Sequence, residues 1–300
     1  MKVLVTGATG LIGNKLTKSC LQKGWSVNYL TTSKSKISNK DNYKGFYWNP
    51  KNNVIDVDCF QDVEVVFNLV GASVAKRWTS RYKEEIIKSR TETTELLFNK
   101  IKKGNYSVKK LVSASAIGIY PSSLTNYYDE NHASINPSFL GEVVSKWEKA
   151  VDAFSDLDIQ ISKLRIGIVL SNAAGALPKM SQPIKFGVGA AFGSGDQWQS
   201  WIHVDDLVSM FIYVVQNDIS GVLNAVAPNP VTNEELIKSI GKKLKRPLIL
   251  PNIPKEVLQL ILGEMHEILF DSQRVSSKKI ESLGFDFSYN NLQPALEDLL

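Results

Sequence analysis

The stretch that decides the fold is the segment Met1-Lys-Val-Leu-Val-Thr-Gly-Ala-Thr-Gly-Leu-Ile-Gly13. It contains a short apolar run, Val3–Val5, which suits a buried parallel strand. Gly7, Gly10 and Gly13 then stand at G-x-x-G-x-x-G spacing, and a helix-like apolar pattern follows them. A strand, a glycine turn and a helix in this order predict a dinucleotide-binding unit.

The three glycines have separate roles in such a turn. We expect Gly7 to permit the tight turn, Gly10 to let the backbone approach a pyrophosphate, and Gly13 to let the helix pack close to the strand. The anion would lie at the helix N-terminus, where free N–H groups and the helix dipole favour negative charge. The predicted cofactor contacts in this segment are Gly7, Thr9, Gly10, Leu11, Ile12 and Gly13.

Composition narrows the class of protein. The 300 residues are 43% hydrophobic and 22% charged, which is typical of a globular domain. The net charge of +5 comes from scattered lysines, and no apolar run reaches 18 residues, so neither nucleic acid nor a membrane is an expected partner. The chain opens on a strand pattern instead of a signal peptide. Cys20 and Cys59 are interpreted as reduced structural thiols of a cytoplasmic protein, and no metal site is predicted.

Apolar β-type runs alternate with helical patterns, which predicts an α/β protein with a Rossmann-type doubly wound parallel sheet. The predicted strands are Val27–Leu30, Val65–Val70, Lys110–Ala114, Ile159–Leu164 and Val222–Val226, and the predicted helices are Thr79–Lys103, Ser138–Phe154 and Lys255–Leu262. We assign residues 1–170 to the NADP-binding domain and residues 171–300 to a smaller C-terminal α/β substrate lobe. Part of the second segment, near 201–226, is expected to return to the sheet.

The end of the second strand favours NADP over NAD. An Asp or Glu about 20 residues beyond the glycine turn usually binds the ribose 2′-hydroxyl of NAD. The run Tyr29–Lys36 holds no carboxylate, and the first acidic residue of the chain is Asp41. Thr31, Thr32 and Lys34 are therefore predicted contacts of a 2′-phosphate, the alternative being an ordinary solvated basic face.

Four motifs together resemble the extended short-chain dehydrogenase/reductase superfamily, which contains nucleotide-sugar epimerases and dehydratases. They are Thr6–Gly13, Asn68–Gly71, Ser113–Ala116 and Trp201–Leu207. The resemblance implies cofactor contacts at Leu69, Val70, Gly71 and Ser113, and a catalytic serine at Ser115. Four further strings resemble one atypical subgroup, the epimerase family proteins, also described as NADP-dependent oxidoreductases: Arg77–Thr79, Lys88–Thr94, Gly193–Trp198 and Gly263–Glu264.

The chain departs from the superfamily at its proton-transfer pair. The superfamily carries Tyr-x-x-x-Lys on the helix after the serine strand, and alignment on Glu148 places Leu140 and Val144 there. Tyr120, the nearest phenol, is a second catalytic candidate beside Ser115, and the alternative is a packed, hydrogen-bonded aromatic residue. His203 is interpreted as structural, bonding Asp205 or the backbone.

A second departure concerns charge. Where the superfamily tends to place an Asn, this chain has Arg90, which the resemblance marks with Glu85 as a cofactor-site residue; the alternative is a surface ion pair. The Arg that often clamps a pyrophosphate before the histidine motif is replaced by Gln199–Ser200. The predicted substrate contacts are therefore Trp198, Trp201 and Arg274.

Three functions agree with these features. The first is an NADP-dependent oxidoreductase that acts on a small molecule of unknown identity. The second is a nucleotide-sugar epimerase or dehydratase, which the missing Tyr/Lys pair disfavours. The third is a non-catalytic NADP-binding sensor or regulatory protein. The sequence leaves the substrate, the reaction direction and the choice between monomer and homodimer open.

Overall fold

The computed structural model describes residues 1–300 and contains fifteen strands and ten α-helices. The strands are β1 Lys2–Thr6, β2 Ser26–Thr31, β3 Asn39–Lys40, β4 Tyr43–Asn49, β5 Val54–Ile55, β6 Val65–Asn68, β7 Lys110–Ala116, β8 Tyr127–Tyr128, β9 Gln160–Ile166, β10 Ile168–Leu170, β11 Trp198–Gln199, β12 Trp201–His203, β13 Gly221–Ala225, β14 Val231–Thr232 and β15 Arg274–Val275. The helices are α1 Leu11–Gln22, α2 Ser80–Lys103, α3 Phe139–Asp152, α4 Ala176–Lys185, α5 Val204–Gln216, α6 Asn233–Lys243, α7 Lys255–Leu262, α8 Glu267–Phe270, α9 Lys278–Ser282 and α10 Leu292–Leu299.

The central sheet confirms the predicted doubly wound fold. Its parallel strands lie in the order β4-β2-β1-β6-β7-β9-β13, and the short strands β3 and β5 pair antiparallel with β4 at one edge. The chain runs outward from β1 to β2 and β4 on one side, and from β6 to β7, β9 and β13 on the other. The order therefore reverses between β1 and β6, and ligands of open α/β sheets bind outside the carboxyl ends of the strands at such a point.

The helices that flank this point begin at residues suited to N-caps. Thr79 accepts a hydrogen bond from the backbone N–H of Tyr82 at the start of α2, and Ser138 accepts one from Gly141 at the start of α3. An unpaired N–H group of the first turn is satisfied in each case. Both predicted helices are confirmed to within a few residues at each end.

Two hydrophobic cores hold the fold together. The larger joins 43 buried residues of the sheet and its covering helices and includes Leu4, Phe67 and Phe211. The smaller core of 13 residues lies in the C-terminal half, where α6 and α10 pack around Trp201. Strand β13 nevertheless pairs with β9, so Gly221–Ala225 belongs to the central sheet.

A third group of apolar side chains joins the two halves of the chain. Trp78, Phe139 and Leu140 pack there with Met265 and Ile268, and we call these five residues the inter-lobe cluster. The Trp78 and Phe139 rings meet edge to face at 5.0 Å. An ion pair between Lys83 and Glu264 lies beside the cluster. The strings Arg77–Thr79 and Gly263–Glu264, distant in sequence, therefore meet in one contact between the lobes.

None of the helices combines the length and the apolar character that a membrane span requires.

Candidate functional site

The glycine turn packs against the end of the neighbouring strand β6. Gly7 has φ +68°, a conformation that L side chains rarely adopt, and a Cβ placed on it would lie 3.0 Å from the carbonyl oxygen of Leu69. A Cβ on Gly13 would lie only 2.2 Å from the carbonyl oxygen of Gly7. Any larger residue at Gly7 or Gly13 would therefore push α1 and the turn away from the sheet.

The N-terminus of α1 is open to an anion. Gly10 is its exposed N-cap residue, and the first turn contains no acidic side chain. The backbone N–H groups of Leu11, Ile12 and Gly13 find no protein acceptor. A Cβ on Gly10 would contact only the carbonyl oxygen of Gly7, at 3.2 Å. The turn thus presents free donors around an open space at the positive end of a helix, which is the requirement for holding a phosphate.

A cleft of about 830 Å³ extends from this turn across the ends of β2 and β4 to helix α2. Seven of the predicted cofactor contacts line this cleft: Gly7, Thr9, Thr31, Thr32, Val70, Gly71 and Glu85. Its wall also contains residues that the sequence analysis did not predict as cofactor contacts: Ser33, Lys36, Asn49, Lys51, Arg81, Glu84, Lys88 and Ser89. The cleft is long and rich in hydroxyl groups, as a dinucleotide requires.

The wall of this cleft contains cations beyond the one predicted. Lys34 does not itself line the cleft, but its ammonium group lies 5.2 Å from the centre of the ring of Tyr47, which does. Lys36, Lys51 and Arg81 do line the cleft, and no carboxylate lies within 4.0 Å of their charged groups. These three positive charges are therefore available to a polyanionic ligand.

Arg90 is held by backbone carbonyl groups and makes no pair with Glu85. Its guanidinium donates to the carbonyl oxygens of Ile86 (3.0 Å) and Ala72 (3.2 Å) and stacks 5.2 Å from the ring of Trp147. Burial lowers the pKa of Arg90 to about 10. The side chain connects the loop after β6 to α2, and its guanidinium packs against Gly71. Arg90 would therefore act on a bound cofactor indirectly, by holding Gly71 in position.

Ser115 and Tyr120 belong to a buried polar network centred on Glu148 and Arg165. Ser115 Oγ donates to Glu148 Oε1 at 2.6 Å, and Glu148 receives two hydrogen bonds from Arg165, at 2.8 and 2.9 Å. The Tyr120 hydroxyl accepts from Arg165 at 3.0 Å and donates to Asn224 at 2.7 Å. Both candidate catalytic hydroxyls are therefore already engaged.

The environment of Tyr120 also keeps its hydroxyl protonated at neutral pH. The ring is 1% exposed and stacks on Tyr128 at 5.3 Å. Burial raises the pKa of Tyr120 above its usual value, although the neighbouring charge of Arg165 acts in the opposite direction. The geometry agrees with the packed, hydrogen-bonded alternative stated for this residue.

Apolar side chains occupy the positions that align with the proton-transfer pair. Leu140 joins the inter-lobe cluster, and a Cβ on Gly118, in the turn after β7, would lie 3.5 Å from the Leu140 Cβ. Val144 is 3% exposed and packs in a separate apolar group with Ile117 and Tyr128. No ionisable side chain replaces the pair at either position.

Ser113 lies inside the sheet, away from the cleft. Its hydroxyl accepts from Asn68 Nδ2 at 3.2 Å, and Asn68 in turn accepts from Thr6 at 3.0 Å. The Thr6 hydroxyl also accepts the backbone N–H of Leu69. This chain of hydrogen bonds joins β1, β6 and β7 at the switch point and fixes the position of the Leu69–Gly71 segment.

Of the predicted substrate residues, Trp198 and Arg274 stand together and Trp201 does not. The Arg274 guanidinium lies 4.3 Å from the Trp198 ring. Trp201 is fully buried in the C-terminal core, where its Nε1 donates to the carbonyl oxygen of Asn229 at 3.0 Å. Trp201 therefore packs the C-terminal half, while the other two residues face a surface of the lobe.

His203 caps helix α5, in agreement with its structural interpretation. Its Nδ1 accepts the backbone N–H of Asp205 at 3.1 Å, so the proton of the neutral ring is on Nε2, which lies 3.2 Å from Asp298 Oδ2. The ring stacks on Tyr289 at 3.9 Å. Although His203, Asp205 and Asp298 could approach one metal ion, this tautomer leaves neither ring nitrogen a free lone pair.

The capped state of His203 predicts a pH-dependent stability. Burial lowers the pKa of His203 below its usual 6.5, despite the nearby carboxylates of Asp205, Asp298 and Asp206. Below pH 6.5 the unfolded chain therefore binds a proton that the folded chain resists, and stability present above pH 6.5 is lost as the pH falls. We expect the free energy of unfolding, measured by urea denaturation, to fall more steeply between pH 7.5 and 5.5 in the natural protein than in His203→Asn. Parallel slopes would contradict this role.

Known proteins resemble this chain in sequence and in fold. Residues 3–139 match the model of the NAD dependent epimerase/dehydratase family, and residues 253–299 match a domain of unknown function, DUF1731. An epimerase family protein of Staphylococcus aureus (strain MRSA252) is 37% identical over 99% of this chain and 98% of its own length. The crystal structure of the human epimerase family protein SDR39U1 with NADPH is 29% identical, with a TM-score of 0.86 over 100% of this chain and 99% of that one. A Bacillus cereus UDP-glucuronic acid 4-epimerase shares the fold at 17% identity, with a TM-score of 0.80 over 100% of this chain and 98% of its own.

Proposed function

Because the chain belongs to the epimerase family, as an atypical extended short-chain dehydrogenase/reductase, we propose that it binds NADP(H) and acts as an oxidoreductase on a small molecule. The observation that carries the proposal is the cleft at the switch point, which begins at Gly7 and Thr9 beside the open N-terminus of α1 and has three unpaired cations in its wall. The human relative of known structure contains NADPH, which supports the same cofactor class here. We further propose that the protein acts in the cytoplasm, which its two buried free cysteines support.

The preference for the phosphorylated cofactor rests on the end of β2. Thr31, Thr32 and Ser33 line the cleft where an NAD-binding protein would place a carboxylate, and Lys36 stands beside them. Hydroxyl groups and an ammonium group can bind a 2′-phosphate, whereas a carboxylate would repel it. Lys51 and Arg81 add positive charge to the same cleft.

The main contribution of the protein side chains would be to orient the cofactor and to exclude water from the reacting atoms. Proton transfer by side chains would contribute less. Bound NADP(H) supplies hydride transfer at C4 of its nicotinamide. The inter-lobe cluster includes Leu140, which stands where the superfamily has its catalytic tyrosine. The cluster would therefore shield that part of the site from solvent. Ser115 could polarise a carbonyl group only after releasing Glu148.

A non-catalytic role as an NADP(H) sensor is the second candidate, and one observation favours it. The hydroxyls of Ser115 and Tyr120 both form hydrogen bonds within a buried network, and the side chains of Leu140 and Val144 can neither donate nor accept a proton. The same two substitutions disfavour a nucleotide-sugar epimerase or dehydratase, whose chemistry needs the tyrosine and lysine.

The experiment that separates the first two candidates combines binding with turnover. NADPH affinity is measured by the change in cofactor fluorescence, and the loaded protein is then offered a panel of aldehydes and ketones while exchange at nicotinamide C4 is followed with deuterated cofactor. Oxidation or exchange supports the oxidoreductase. Binding without either supports the sensor, and absence of NADPH binding would refute both.

The cofactor preference predicts the effect of Thr32→Glu. Thr32 is exposed, so the change is compatible with the fold. A carboxylate beside the 2′-phosphate would cost roughly 1–3 kcal/mol, or about 5- to 150-fold in NADPH affinity, while NADH is affected far less. Affinities for both cofactors are measured in this variant and in the uncharged Thr32→Gln. Equal losses of affinity for NADPH and NADH in Thr32→Glu would contradict the predicted contact between Thr32 and the 2′-phosphate.

A further inference from the structure

Arg274 lies between two aromatic rings. Its guanidinium is 4.3 Å from the ring centre of Trp198 and 5.2 Å from that of Tyr127. Strand pairing produces this arrangement, because Arg274 stands opposite Tyr127 in the parallel pair β15–β8, and Gln273 bridges to Gln199 of β11 on the other side. Three short strands therefore present Tyr127, Arg274 and Trp198 as neighbours.

The Arg274 guanidinium has no polar partner in the protein. Its Nε is buried without an acceptor, and no carboxylate lies within 4.0 Å of its guanidinium nitrogens. Arg165, by contrast, donates to Glu148 through two nitrogens. A buried N–H without an acceptor costs about 1–3 kcal/mol, and the fork of an arginine matches the two oxygens of a carboxylate or phosphate. Stacking holds the fork in place before a ligand arrives.

Exposed side chains with apolar surface lie beside this fork. Leu124 is 56% exposed and Tyr127 is 46% exposed. Trp198 Nε1 donates to the carbonyl oxygen of Leu124 at 3.0 Å, which holds the Leu124 loop beside the indole. A ligand whose charged group reached Arg274 would therefore lay its remaining surface against hydrocarbon.

The group formed by Trp198, Arg274 and Tyr127 is also connected to the end of strand β7. Gln273, the residue before Arg274, donates to the carbonyl oxygen of Tyr120 at 3.1 Å, and Tyr120 follows the turn that lies beside Leu140. Ligands of open α/β sheets bind outside such strand ends. We propose that Arg274, Trp198 and Tyr127 bind the carboxylate or phosphate of an organic anion with an apolar or aromatic body, and that this anion is the substrate. The last step rests on the proposed oxidoreductase function.

Calorimetric titration of both the free and the NADPH-loaded protein tests this site, with benzoate, phenyl phosphate and inorganic phosphate as the probes. We expect benzoate or phenyl phosphate to bind in the millimolar range or tighter. Arg274→Gln should weaken that binding at least about tenfold, and Arg274→Lys should weaken it less. Arg246→Gln, a change at an exposed arginine elsewhere, should have no effect. The comparison of benzoate with phenyl phosphate shows which of the two anionic groups the site prefers.

Three results would overturn the proposal. They are saturable binding that survives Arg274→Gln in a folded variant, absence of binding by both organic probes, and equal affinity for inorganic phosphate, which would exclude an apolar contact with the ligand body. NADPH affinity is measured on the same samples. Loss of NADPH binding with retained anion binding would refute the cofactor function and leave the anion site standing.

Discussion

Replacement of Gly10 by Asp should lower NADPH affinity at least about 100-fold while leaving the fold at least as stable. Gly10 is the N-cap of α1, with φ −79° and ψ 177°, an extended conformation that Asp adopts readily. The new carboxylate would accept the N–H groups of Ile12 or Gly13, the groups that are free for the pyrophosphate, and would repel its charge. Loss of two charge-assisted hydrogen bonds, at about 1.5–3 kcal/mol each, accounts for a change of this size.

The matched control for this change is Gly10→Asn, which has the same shape without the charge. It should cap the helix similarly and lose less NADPH affinity than Gly10→Asp. Fluorescence titration gives the affinities, and urea denaturation gives the free energy of unfolding, which should change by no more than a few tenths of a kcal/mol in Gly10→Asp. Unchanged NADPH affinity in a folded Gly10→Asp protein would contradict the placement of the pyrophosphate.

The dinucleotide turn could be predicted because its determinants are local. Gly7 and Gly13 lie within one strand-turn-helix unit, and the geometry that excludes larger residues involves atoms only a few positions away or on the adjacent strand. The doubly wound parallel sheet could be predicted from the alternation of strands and helices, since parallel strands need crossover connections.

The cations of the cleft could not be predicted in the same way. Lys51 lies in a turn after β4, and Arg81 lies on the first turn of α2, so only the packing of the sheet edge against that helix brings them to one cleft. Lys34 was predicted from its distance along the chain, but the structure directs its ammonium group to Tyr47. Exposed lysines carry no sequence signal that separates these outcomes.

The partners of Tyr120 lie far away in sequence. The residue follows the serine strand, which made it the nearest phenol, but its hydroxyl contacts Arg165 and Asn224, 45 and 104 positions further along the chain. Arg165 and Asn224 reach it because β9 and β13 pair side by side, a tertiary contact that no local pattern encodes. The network around Arg165 can be tested directly.

Replacement of Arg165 by Met should destabilise the fold by up to about 3–5 kcal/mol, because the buried Glu148 would lose both hydrogen bonds from Arg165 and keep only Lys163, whose ammonium group is 3.7 Å away. Glu148 is 7% exposed. Burial alone would raise its pKa, but the hydrogen bonds and charge of Arg165, the hydrogen bond from Ser115 and the charge of Lys163 together outweigh burial and lower that pKa. The stabilisation is therefore present above the usual carboxyl pKa of 4.5 and is lost as the pH falls below it. Urea denaturation at pH 7 and pH 4 should show a smaller difference between Arg165→Met and the natural protein at the lower pH.

The double variant Glu148→Leu, Arg165→Met tests whether the network has a structural role or also contributes to cofactor binding. Removal of both charges should recover most of the stability, since a buried ion pair replaced by apolar side chains is often neutral. If the network only positions β7 and α3, the double variant should also keep its NADPH affinity, because neither residue lines the cofactor cleft. A loss of less than about 1 kcal/mol in Arg165→Met would mean that solvent reaches Glu148. The hydroxyl of Ser115 would then be free to leave that carboxylate and act on a substrate, which would favour the oxidoreductase over the sensor.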